Sequence, residues 1–319
     1  MDRRAFLAGC AALPLTREAL AQSGPLTKII FPFAAGGSGD MLCRLIAEHL
    51  RPILDRTFVV ENRTGGDGLI GIKSVMSAAP DGATILITTG PTMYLLPMVE
   101  AKPSFDYVKD FVAVSLLGRF EFVVVTGPAT DAKNFPELVT WLKANPSKSS
   151  FGVPSNGTIP HFTGSRLEQV LGIPMTRVPY RGSAPILKDL AGSHLPFAIT
   201  TLADTIAQHR AGAIRILAVS GETRSPFLPD VQTLKENGVN LVADAWYGMW
   251  LPAGASPDFA RQLSAAVATV LAKPEVREKM LAVALIPVGT TPERLDQEHA
   301  ANTALWQPIV KATGYKITN

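Results

Sequence analysis

From Lys28 to Ser220 the chain alternates short apolar runs of strand character with segments of helical periodicity. This alternation leaves few folds open to it. Strands are predicted over Lys28–Phe33, Thr57–Glu61, Thr84–Thr88, Phe122–Thr126, Ser150–Val153, Thr176–Pro179, Leu195–Thr200 and Ala213–Ser220. Helices are predicted over Gly39–Leu54, Gly68–Ala78, Phe135–Ala144, Ile159–Leu171, Ala184–Ala191 and Leu202–Ala211, with further helices in the tail over Ser256–Leu271, Pro274–Val283 and Pro292–Thr313. Strands separated by helices build a mostly parallel sheet covered on both faces, an α/β architecture.

Two stretches, Leu117–Thr126 and Val242–Leu251, read as crossings, because a second complete strand–helix alternation lies between them. The chain would leave one α/β lobe, build another and return. The first lobe is expected over residues 22–122 and 247–319, the second over 123–246. A length of 319 residues suits two domains, and 47% hydrophobic residues suffice for two cores. Clefts between such lobes, at the carboxyl ends of strands, are where these folds hold small molecules.

Residues 1–21 read as an export signal. Arg3 and Arg4 precede an apolar run from Ala5 to Leu15 that is too short to span a bilayer, and Ala19-Leu20-Ala21 offers a small-x-small cleavage site. The order Arg-Arg-x-Phe-Leu fits the twin-arginine route. A rival lipoprotein box at Leu7–Cys10 would anchor Cys10 but leaves a very short apolar region. Cleavage after Ala21 removes three arginines and two acidic residues, lowering the formal charge from +3 to +2, and leaves Cys43 as the sole cysteine. Such a protein has no internal disulfide, and Cys43, apolar-flanked in a helix, reads as core. A periplasmic protein is expected, with no later segment apolar enough to span a membrane. Near-neutral charge without a basic stripe argues against nucleic acid. Five histidines, two cysteines and neither CxxC nor HExxH argue against a metal.

The sharpest local feature is Phe33–Asp40, in which three glycines link a strand to a helix; Phe151–Thr158 is a second such loop, followed by His161. Free N–H groups and the dipole at a helix N-terminus favour an anion, and small residues let it approach. Two such ends facing each other would suit a carboxylate held between lobes. Alternatively, Ser38, Asp40, Ser155, Asn156 and Thr158 are ordinary caps. The first loop also imitates a dinucleotide-binding turn, with Glu61 at ribose distance, but Leu42 stands where the third small residue belongs. It falls one residue short of a nucleophile elbow, and no Asp/His pair follows in triad order.

Taken in order, these residues resemble the Bug-type receptors of tripartite tricarboxylate transporters. The resemblance runs over about residues 26–315. It rests on Phe33–Asp40 with Arg44, on Val60–Gly71 (where the family has Asn-Arg-Pro-Gly-Ala-Gly-Gly), and on Pro80–Leu86, Ser155–His161 and Val178–Pro185. Gly212–Val219, Leu228–Val231 and Trp246–Gly248 complete it. It implies a periplasmic-binding-protein-like "Venus flytrap" that performs no catalysis, needs no cofactor or metal and acts as a monomer. Its partners would be a small organic carboxylate and a permease of one large and one small integral-membrane subunit.

Residue by residue, the resemblance places Phe33, Ala35, Gly36, Gly37, Ser38 and Asp40 on one jaw. Ser155, Asn156, Gly157, Thr158 and His161 fall on the other. Thr89 and Thr92 would border the cleft, and Thr200 and Thr201 would end a strand where the family has a more acidic or amide-bearing loop. Tyr180 and Arg181 would reach in, Arg181 either holding a distal carboxylate or serving as a loop charge. His161 would cap its helix or donate to the ligand. Trp246, Tyr247 and Trp250 would pack the hinge or stack on an aromatic acid. The alternatives are an exported nucleotide-dependent oxidoreductase and a receptor feeding a membrane sensor.

Overall fold

The computed structural model describes residues 25–317; the expected export signal and Cys10 lie outside them. The first elements are β1 (Leu26–Phe31), α1 (Ser38–Leu54), β2 (Thr57–Asn62), α2 (Leu69–Met76), β3 (Thr84–Thr89), α3 (Gly90–Val99), α4 (Tyr107–Asp110) and β4 (Phe111–Thr126). Next come α5 (Phe135–Ala144), β5 (Ser150–Val153), α6 (Ile159–Leu171), β6 (Thr176–Pro179), α7 (Ser183–Ala191), β7 (Phe197–Thr201), α8 (Leu202–Arg210) and β8 (Arg215–Val219). The chain returns through β9 (Asp244–Pro252) to α9 (Pro257–Ala272), α10 (Pro274–Ala282), β10 (Ile286–Pro287) and α11 (Pro292–Thr313).

The strands run in the order β2-β1-β3-β9-β4-β7-β5-β6, with β8 and β10 also pairing to β4. In the first lobe β1 pairs in parallel with β2 and β3, whereas β9 is antiparallel to β3 and β4. In the second, β5 is parallel to β6 and β7, and β4 is antiparallel to β7 and β8. The parallel pairs are those joined through helices, as crossover geometry requires. The antiparallel ones all involve β4 or β9.

Both expected crossings are thus strands. β4 is a single 16-residue strand whose partner changes from β9, at Glu121↔Asp244, to β7, at Phe122↔Thr201. Within its Val-Val-Val run the side chains alternate: Val124 joins the core under α5, and Val123 and Val125 join the core under α7 and α8. A strand buried on both faces reads as a continuous apolar run, which is why its first half carries no alternation.

In α1 the apolar stripe Leu42, Cys43, Leu45, Ile46 and Leu50 is buried against the first sheet, and the helix stops at Asp55 in the left-handed region. Cys43 is wholly buried, and burial pushes its thiol well above the ordinary range. The helix α3 has no counterpart in the sequence-derived assignments. Gly90–Val99 is apolar nearly all round and carries Pro91 and Pro97, so no periodicity marks it; it is buried over Gly90–Leu96 and at Val99, and its first turn tolerates Pro91.

Candidate functional site

Five helices begin around one cavity between the lobes. It holds about 550 Å³ of free space, mouth included, and its walls bring together Gly37 of the α1 loop, Thr89 and Pro91 of α3, Thr158 and Pro160 of α6, Gly182 and Ser183 of α7, and Thr201 and Asp204 of α8. A helix start leaves its first N–H groups without intrahelical partners, so five converging starts concentrate donors and positive potential there. The remaining wall is aromatic. Phe33, Phe31, Tyr247, Phe120 and Phe122 form a continuous chain of rings with centroids 4.7–6.4 Å apart. Among the described residues no Lys, Arg or His lines this cavity, and Asp204 is its only charged side chain.

The five starts are capped differently. Thr89 and Thr201 cap α3 and α8 with their own hydroxyls, accepting from Thr92 N–H and Asp204 N–H at 3.3 Å each. The residues before α1, α6 and α7, namely Gly37, Thr158 and Gly182, supply no side-chain cap. The α1 start is served from across the cleft, where Asp204 Oδ1 accepts the Ser38 N–H. The other Asp204 oxygen accepts from Thr201 Oγ1 at 2.5 Å.

A reciprocal contact runs the other way. Asp67, from the first lobe, accepts Ser155 Oγ at 2.9 Å and the Asn156 N–H at 3.0 Å on the second. Asp67 sits at φ +55, in the left-handed region, where the resembled motif has glycine. Each Gly-rich loop singled out in the sequence therefore holds a carboxylate of the opposite lobe. The Ala34 N–H, donating to the Arg181 carbonyl at 3.0 Å, adds a backbone link between the lobes.

The structure divides the residues singled out in the sequence. Phe33, Gly37, Thr89, Ser155, Thr158 and Thr201 line the cavity. Ser38 is buried beside it, with its hydroxyl 3.4 Å from Tyr247 Oη. Thr92 stands behind Thr89, and Thr200 behind α7, donating to Ser183 Oγ at 2.7 Å. Asn156, Tyr180 and Arg181 line an outer groove with Asp67, outside the main cavity. Tyr180 donates to Asp189 there at 2.6 Å, and Arg181 is exposed. Ala35 and Gly36 are exposed.

Asp40 faces away from the cavity. Its carboxylate accepts from Arg44 Nε and Nη2 and from Asn62 at 3.0 Å, and from the Gly36 N–H at 3.1 Å. Burial opposes its ionisation, yet Arg44, Asn62 and the Gly36 N–H together hold it below the usual carboxylate range. It fixes the loop. Glu61, the ribose candidate of a nucleotide site, is engaged by Lys28 at 2.9 Å and Arg63 at 2.6 Å. Trp246 and Trp250 belong to the core, whereas Tyr247 forms a cavity wall. Among the described residues no group of three or more His, Cys, Asp or Glu side chains could hold a metal ion, and no helix is long and apolar enough to cross a membrane.

His161 is buried behind the second loop. Its Nδ1 accepts the Gly157 N–H at 3.1 Å, Arg177 lies against Nε2, and the ring stacks on Phe162. Gly157 is confined, since a Cβ there would lie 2.7 Å from Val99 at φ +63. Burial, then the Arg177 charge, lowers the His161 pKa to about 3. An unfolded chain takes up this proton near pH 6.5, whereas the folded protein does so only near pH 3. Stability is therefore lost as pH falls through that window, by about 1.4 kcal/mol per pH unit for this one group. The urea midpoint should drop between about pH 7 and pH 5 by the equivalent of about 2 kcal/mol, and His161→Gln should remove that part of the slope. An unaltered slope in the variant would assign the pH dependence elsewhere.

Two α/β lobes joined by paired strands, with a cavity between them at converging helix starts, define a periplasmic-type solute-binding protein. The chain belongs to the tripartite tricarboxylate transporter family receptors, whose family model matches residues 42–315. It is 31% identical over 299 residues to a protein of Agrobacterium vitis described as a UPF0065 protein in the TAR-I ttuE-ttuC' intergenic region, covering 92% of this chain and 85% of that one. It is 29% identical over 293 residues to Protein BugT of Bordetella pertussis, covering 91% and 90%. Among solved structures, the periplasmic binding protein BugD superposes with a TM-score of 0.87 at 29% identity over 92% of this chain and 98% of that one. R. palustris Rpa4515, solved with adipate, superposes at 0.86 with 28% identity over the same shares.

Proposed function

We propose that this protein is an extracytoplasmic receptor that binds a small organic carboxylate and hands it to a tripartite membrane permease without chemically changing it. The convergence of five helix starts on an aromatic-walled, cation-free cavity carries this reading. Backbone N–H groups on rigid helix ends hold an anion without a counterion, and the rings enclose an apolar body. The adipate-bearing neighbour supports the ligand class. Residues 1–21 would direct the chain to the periplasm and be removed. Residues 22–122 with 247–319, and residues 123–246, would be the two bodies that close on the ligand, hinged where β4 changes partners. Gly37, Thr89, Ser155, Thr158 and Thr201 would contact the ligand, joined by Ser183.

The test is thermal unfolding of ligand-stripped mature protein against aliphatic and aromatic carboxylates, amino acids and nicotinamide nucleotides. A ligand at about 100 times its Kd stabilises by about 2.7 kcal/mol, a shift of several degrees. A shift with one class of carboxylate is expected. A shift with a nucleotide alone would overturn the reading in favour of an oxidoreductase.

A further inference from the structure

Resting on the carboxylate-receptor reading, we infer that Asp204 sets the class of the ligand: a carboxylate that also carries a hydrogen-bond donor, an ammonium or amide group, on an apolar body. Of the five helix starts at the cavity, α3 and α8 are capped by their own threonines and α1 by Asp204. The starts of α6 and α7 have no side-chain cap, and both open onto the cavity at Thr158 and at Gly182 and Ser183. A ligand carboxylate is therefore received at the second lobe, between α6 and α7.

A second group of that ligand meets Asp204, which lines the same cavity. This carboxylate uses one oxygen on Ser38 N–H and the other on Thr201 Oγ1, and a carboxylate has further acceptor positions on both oxygens. Among the described residues no Lys, Arg or His lies within ion-pair distance of it. A second ligand carboxylate at α1 would face Asp204 charge against charge with no cation lining the cavity. An ammonium there would gain an ion pair and the faces of the neighbouring rings, and an amide would gain a hydrogen bond. Asp204 thus both attracts one class and repels the other.

The experiment is calorimetric titration of the mature, ligand-stripped protein with four matched compounds at several chain lengths: adipate and its homologues, their half-amides, the corresponding ω-amino acids and the unsubstituted fatty acids. The parent protein should bind the best ω-amino acid or half-amide at least about 10-fold more tightly than the dicarboxylate of equal length. Asp204→Asn, nearly isosteric, should narrow or reverse that ratio; Asp204→Ser, with its fold checked by circular dichroism, should do the same by opening the α1 start to a carboxylate. A dicarboxylate preference in the parent, or a ratio unchanged in both variants, overturns the inference and leaves the receptor reading standing. If no carboxylate binds at any length, the receptor reading itself fails, and the inference with it.

Discussion

Gly37→Val will lower carboxylate affinity by about two orders of magnitude while leaving the unfolding transition close to that of the parent. Gly37 precedes α1 at φ −90 and ψ 175, extended backbone that valine adopts readily, so the helix start itself loses nothing. The space in front of it is what changes. A Cβ at this position lies 3.3 Å from Asp204 Oδ1, tighter than ordinary contact. The two further methyl groups then separate α1 from α8 or enter the cavity. Either way the lobes cannot close on a ligand, and a loss of about 3 kcal/mol is in line with overpacking at a close-packed contact. Gly37→Ala should show the milder form of the same effect. Calorimetric titration with the best carboxylate and a thermal scan check both halves. Parental affinity in Gly37→Val would move the binding site out of this cavity.

The largest loss of stability is expected from Trp246→Ala, at about 3–5 kcal/mol. The indole on β9 is 1% exposed, with ring centroids 6.0 Å from Trp250 and 6.4 Å from Tyr94. It fills a place shaped for it by Gly90, where a Cβ would lie 2.3 Å from Trp246 Cε2. Because Trp246 Nε1 has no hydrogen-bond partner, the cost of truncation is one of packing. Gly90→Ala should destabilise in turn, and combining it with Trp246→Phe should cost less than the sum of the two single changes, since both act on one contact. Urea unfolding followed by far-ultraviolet circular dichroism measures each. A loss below about 1 kcal/mol for Trp246→Ala would mean that the site collapses around the gap more fully than close packing allows.

Four of the five helix starts of the cavity, all but that of α3, were readable because each needs local residues to form. Gly37 and Ser38, Thr158 before Pro160, and Gly182 before Ser183 announce themselves within a few positions. What acts over distance left no such trace. Asp204 stands three residues after Thr201, a spacing that reads as a capping pair within its own helix, and that pairing is indeed made. Nothing in its neighbourhood announces the 166-residue reach to Ser38. Asp67 is equally silent, except that an acidic residue occupies a glycine position at positive φ, a departure that marks a side chain put to use. The aromatic wall carried a readable sign in Phe120 and Phe122, two apart on one face of an extended strand. Asp40 shows the converse, a first-turn acid beside the cavity that is drawn away from it because Arg44 lies one turn further along.

The strand order β1-β3-β9-β4 has a consequence for how the protein must assemble. β3 and β4 follow each other in the chain but never pair; the place between them is kept for β9, which is synthesised only after the whole second lobe. The second-lobe helices and short strands can condense early on contacts close in sequence, whereas the first-lobe sheet stays split, with two open edges, until β9 slots in. The same strand delivers Trp246, Tyr247 and Trp250, so the late event closes the sheet, fills its core and puts the last ring into the cavity wall. Closure of the first-lobe sheet and completion of the cavity wall therefore both wait on β9, and a chain truncated before it exposes adhesive strand edges where the finished receptor has a site.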